Sequence, residues 1–134
     1  MKRNTFFRIG IVAWMVVIFT LCAMPASDIP GTGLNIPHAD KIVHFGMHFV
    51  MASLLIGSLK INARLKWSTI VGIAIGFSIL YGGAIEILQS NFFNRSGDPW
   101  DELANTAGAA AGCLLYRPLE RQKDKWLARR KEKQ

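Results

Sequence analysis

Acidic side chains are scarce in this chain. Nine Asp and Glu stand against sixteen Lys and Arg in 134 residues, for a net charge of +7. Cysteine is scarcer still: Cys22 and Cys113 lie far apart and lack metal-ligand spacing, which argues against a disulfide framework or a Cys-ligated metal. There is no glycine-rich phosphate loop and no Gly-x-Ser-x-Gly, so neither a P-loop nor a serine-hydrolase elbow is expected. No internal repeat or low-complexity linker divides the chain, and residues 1–134 read as a single domain.

What the chain does have is long apolar runs. Hydrophobic residues make up 51% of it, high for a small soluble domain. Residues 6–24 are broken only by Arg8 and Thr20, 42–59 only by His44, His48, Ser53 and Ser58, and 68–89 chiefly by Glu86. Eighteen helical residues cover roughly 27 Å, close to a hydrocarbon core of about 30 Å. A shorter run, 101–116, spans only if Asp101 and Glu102 reach the headgroups. Four transmembrane helices are expected, in an all-α bundle.

Charge placement gives the orientation. Fourteen of the sixteen Lys and Arg fall before or in the first turn of the first run, between the second and third, or after the fourth; only Lys41 and Arg95 fall on the other side. Positive residues are retained in the cytoplasm, so both termini are expected there, in a multi-pass protein of the bacterial inner membrane. The basic excess is then a retention signal plus a cytoplasmic tail, 117–134, and needs no nucleic acid. Residues 123–134 of that tail read either as an interfacial helix on anionic lipid, with Trp126 and Leu127 as anchors, or as a solvated, partly disordered segment. The first run is expected to stay uncleaved, being longer than a secretory signal core.

The polar residues inside the runs share one depth. Asp40, His44 and His48 are four apart on one helix face, beside Lys41. Glu86, Gln89 and Ser90 lie at the corresponding end of the third run. Asp101 and Asn105 are one turn apart at the start of the fourth, and Arg95 lies in the connecting loop. Ionisable groups inside a span are costly and face the bundle or a wet cavity. Asp40 also reads as a cap for the second helix, and Asp98-Pro99 as the start of the fourth. Gly108 and Gly112 form a groove for close helix packing. Gly72 and Gly76 on the third helix have the same spacing, with Gly82-Gly83 further along it, so a close pairing of helices three and four is expected. His44 and His48 have ligand spacing, and Glu86 or Asp101 could supply a third ligand, but "HFGMH" lacks the acid of the zinc-protease motif. No metal and no cofactor is expected.

Taken together, Asp40-Lys41, His44-Phe45, Glu86, Gln89, Arg95 in "RSGDPWDELANTAG", Asp101, Asn105, Gly108 and Gly112 resemble the VanZ-like family of small bacterial membrane proteins. The motif covers roughly Asp40 to Gly112; His48 departs from it, standing where an aromatic residue is more usual. The resemblance implies an integral membrane protein and an association with resistance to glycopeptides such as teicoplanin. It implies no settled reaction.

Three functions follow from the polar layer. The first is an outward-facing pocket that binds or acts on a lipid headgroup or lipid-linked cell-wall precursor. Its ligand-binding residues would be Asp40, Lys41, His44, Glu86, Gln89, Arg95, Asp101 and Asn105, with Lys41 and Arg95 meeting anionic groups. The second is a membrane enzyme with His44 and Glu86 or Asp101 as an acid–base pair. The third is an interhelical network with no ligand. Oligomeric state leaves no mark on the sequence.

Overall fold

The computed structural model describes residues 3–24, 38–61, 64–92 and 98–131. Four helices follow one another: α1 (Arg3–Ala23), α2 (Ala39–Leu59), α3 (Trp67–Phe92) and α4 (Pro99–Lys131). The protein is all-helical. Three of the helices, α1, α2 and α3, are long and apolar enough to cross a membrane. α4 is apolar only from Leu103 to Tyr116 and carries charge on either side of that stretch.

The helices start and stop for local reasons. Asp98 precedes α4, and its Oδ1 accepts the Trp100 N–H at 2.9 Å, while Pro99 fills the first helical position, where no N–H is needed. The start of α2 differs from the sequence reading. His38, in a left-handed conformation (φ 58°), precedes the helix without a side-chain cap bond, and Asp40 sits inside the first turn. Asp40 therefore does not cap α2; its carboxylate turns to Lys41 instead. α4 does not end at Tyr116 but runs through Pro118 to Lys131. The residues beyond Pro118 are mostly Arg, Lys, Gln, Glu, Leu and Ala, all good helix formers.

α4 packs most extensively on α2, and less on α3. Two glycines set that approach. A Cβ at Gly108 would collide with the Phe45 carbonyl, and one at Gly112 would come within 2.9 Å of the Phe49 carbonyl. The groove thus receives α2. The expected close approach of α3 to α4 is not made at Gly72 or Gly76, where a Cβ would meet nothing within 4 Å. The glycine of α3 that permits a close approach to α4 is Gly82, whose added Cβ would meet Asn105 Nδ2 at 2.6 Å.

The core is a seam of Met47, Met51, Ala52, Leu55 and Ile56 from α2 against Ile18, Ile70, Ala74, Ile85 and Ala109. α1 joins through polar donors as well as apolar contact. Trp14 Nε1 donates to the Met47 carbonyl at 2.9 Å, and Tyr81 Oη to the Met15 carbonyl at 2.7 Å. The outward faces are apolar too: Phe6, Val12 and Val16 of α1, Leu80 of α3 and Leu114 of α4 are all more than half exposed. In water such a surface would drive association; in lipid it is the solvent-facing side.

Candidate functional site

The polar residues gather at the end of the bundle where α2 and α4 begin. Lys41 is the centre of one group. Its ammonium donates to Asp98 Oδ2 at 2.6 Å, Asp101 Oδ1 at 2.9 Å and Asp40 Oδ2 at 3.2 Å. An ammonium has three N–H donors, and each meets a different carboxylate. The Lys41 charge holds the Asp98 carboxyl below its ordinary value, helped by the Trp100 N–H. Asp101 is nearly buried while Asp40 is half exposed, so the group runs from the bundle interior to its surface.

A second group begins one turn deeper on α2. His44 is 4% exposed, and its Nδ1 lies 3.1 Å from Asn105 Oδ1. Asn105 is fully enclosed, and its Nδ2 donates to Glu102 Oε2 at 3.2 Å. His44 Nε2 faces Asp101 Oδ2 at 3.8 Å. Asp101 thus serves both groups, one oxygen toward Lys41 and the other toward His44. Glu86 completes the layer from α3: its Oε2 accepts the Asp98 N–H at 3.0 Å. One donor atom each from His44, Glu86 and Asp101 lie within 4.8 Å of one another.

Beside these groups, α3 and α4 part to form an open cleft of about 470 Å³. Gly83, Glu86, Ile87 and Ser90 line it from α3, and Asp98, Pro99 and Glu102 from the start of α4. Three of these seven are carboxylates, set in a mostly apolar lining. Gly83 keeps its wall clear, since a Cβ there would meet nothing within 4 Å.

Of the residues that the sequence singles out, Asp40, Lys41, His44, Glu86, Asp101 and Asn105 converge. Gln89 does not. It is buried on another face of α3, where its Nε2 donates to the Cys22 carbonyl of α1 at 2.9 Å. Arg95 lies outside the described residues. His48 is buried one turn below His44, and its Nδ1 has no hydrogen-bond partner among the described residues. Two participants were read from sequence only as helix-start residues. Asp98 is also the nearest partner of Lys41, and Glu102 both braces Asn105 and lines the cleft. Their spacing was a usable signal: Asp98 and Asp101, like Glu102 and Asn105, are three apart and share a face.

The fold and this layer define a small helical membrane protein with a buried charged cluster at one end of its bundle. The family described as VanZ/LLP1 matches residues 6–120, and the chain belongs to that family. The match takes in α1 and the start of the basic half of α4, well beyond the motif segment 40–112. No curated protein and no solved structure matches the chain. The family name carries the link to teicoplanin resistance.

Proposed function

We propose that the chain is a four-span protein of the bacterial inner membrane, with both termini in the cytoplasm, that binds a cell-envelope component in an outward-facing pocket. The observation that carries this reading is the open cleft between α3 and α4, set beside the buried cluster and lined by Glu86, Asp98 and Glu102. The positive-inside rule supports its outward direction, because the basic residues of α4 lie at the opposite end of the helix. α4 serves as the fourth span over 101–116, where its small residues lie against α2.

The cleft's chemistry narrows the ligand. Lys41 already has a carboxylate for each of its donors, so it neutralises the protein's own acids. The lining is mostly apolar, and its polar groups are the Ser90 hydroxyl and three carboxylates. A headgroup or precursor bearing an amine or several hydroxyls fits such a lining better than a bare anion. Lys41 with its three aspartates then locks α2 to α4, and Glu86, Glu102 and Ser90 face the ligand. Membrane lipid is the resident partner, and a lipid-linked precursor with amino groups belongs to the same ligand class. A role in glycopeptide resistance would act through such a precursor.

Lipid retention tests this. The full chain is reconstituted in nanodiscs of equal phosphatidylethanolamine and phosphatidylglycerol, then released and weighed by native mass spectrometry. Preferential retention of the amine lipid is expected, together with its loss in Glu86→Gln/Glu102→Gln at unchanged melting temperature. Equal retention of the two lipids, or a loss that merely follows melting, contradicts the reading.

A second reading rests on the His44–Asp101 approach, a buried imidazole and carboxylate 3.8 Å apart. Such a pair can move a proton in a reaction on a lipid-linked substrate. Turnover of an isolated precursor by the wild type, absent in His44→Gln, would establish it.

A further inference from the structure

The hydrogen bonds around His44 orient its ring. Asn105 Nδ2 donates to the Glu102 carboxylate, so Asn105 presents its oxygen to His44. An amide oxygen only accepts, and Nδ1 therefore carries the ring proton. Nε2 points toward Asp101 Oδ2 at 3.8 Å, beyond hydrogen-bond distance, in a buried residue. Asp101 Oδ1 is committed to Lys41, which leaves Oδ2 for this space. Glu86 supplies a second carboxylate oxygen from α3, and the three donor atoms lie within 4.8 Å of one another. One imidazole nitrogen and two carboxylates from three helices thus converge at the polar end of the bundle.

We propose that His44 Nε2, Glu86 and Asp101 bind a divalent transition-metal ion of zinc's chemistry. One imidazole nitrogen and two carboxylate oxygens suit zinc, whereas calcium and magnesium prefer oxygen alone. Ligand atoms about 2.0–2.2 Å from a tetrahedral ion stand roughly 3.3 Å apart, so the His44–Asp101 approach is already near that spacing. The surroundings are those a metal-bound histidine uses: its other nitrogen donates to a fixed oxygen, here that of Asn105. Glu86 belongs both to this set and to the cleft wall, so the ion's open position faces the cleft side of the cluster. The ligand set differs from the His44–His48 pair weighed from sequence. His48 is not part of it, and the second and third ligands come from helices distant in the chain.

The test uses the full chain in detergent, stripped with chelator and dialysed against zinc ion alone. One zinc per chain is expected, and cobalt(II) in its place should give the visible spectrum of a low-coordinate nitrogen–oxygen site. His44→Gln and Glu86→Gln should abolish stoichiometric uptake, and Asn105→Ala should weaken it about 10–100-fold. His38→Ala, on the exposed turn before α2, should leave uptake unchanged. Melting of each metal-free variant checks that it folds, and the isosteric Glu86→Gln keeps the test open if His44→Gln does not. Absence of zinc above background overturns the proposal. So does uptake indifferent to His44 and Glu86, or a His44 ring that ¹⁵N spectra show doubly protonated in the presence of zinc. Zinc uptake without preference for the amine lipid would sink only the proposed ligand class, and the converse only the metal.

Discussion

The two ends of the bundle use the same ingredients to different effect. At the polar end, Lys41 joins α2 to α4 through Asp98 and Asp101, and the Asp101 side chain is only 8% exposed. At the basic end, Lys60 joins the same two helices through Glu120, with both side chains about a third exposed. Lys60 also lies over the Tyr116 ring, and Arg117 over the Trp67 ring at 4.0 Å. A pair in contact with solvent loses little water when it forms and contributes little. A carboxylate inside the bundle has given up its hydration and depends on its partners. The basic end is thus a clamp that can be changed cheaply. The polar end is a commitment, and burial without a structural substitute is a mark of function in a membrane protein.

The sharpest way to break that contrast is at Gly108, which sets the distance between α2 and α4 one turn below Asn105. Gly108→Ala should cost about 1–3 kcal/mol and separate His44 from Asn105. The same change at Gly72, which faces open space, should stay within about 0.5 kcal/mol. Thermal or denaturant unfolding in detergent distinguishes them, and equal costs would mean that the groove does not hold α2. Next is Asp101→Ala, which removes the shared carboxylate from beneath Lys41 and His44. Since Lys41 keeps Asp40 and Asp98, a loss of about 2 kcal/mol is expected, less than a fully broken buried pair. The smallest effect belongs to Lys60 and Glu120. A double-mutant cycle should give a coupling below about 1 kcal/mol that shrinks further in high salt. A coupling there as large as the Asp101 effect would erase the difference between the ends.

Much of this was legible in the sequence, for specific reasons. The spans of α1, α2 and α3 follow from run length, and the depth of the polar layer follows from helical spacing at Asp40, His44, Asp101 and Asn105. Partner choice was not legible. Gly108-x-x-x-Gly112 and Gly72-x-x-x-Gly76 have identical spacing, and only the packed bundle shows that the first pair meets α2 while the second meets nothing. Gln89 lies three residues from Glu86, yet its amide turns to α1 because the Cys22 carbonyl is there to accept it. Asp98 is a sound helix start on local grounds. Its second role depends on Lys41, fifty-seven residues earlier. The sequence reading separates a span over 101–116 from a basic tail; the helix joins them through Pro118 because the residues beyond it are good helix formers.

The central claim is that the polar end is open and faces out of the cell. A single cysteine at Ser90, on the cleft wall, tests it in a chain whose Cys22 and Cys113 are replaced by serine or alanine, with Arg121→Cys at the basic end for comparison. Intact cells carrying each variant are treated with a membrane-impermeant maleimide. Labelling of Ser90→Cys in intact cells, with labelling of Arg121→Cys only after permeabilisation, is the predicted result. The reverse pattern, or protection of Ser90→Cys on both sides, would contradict the account.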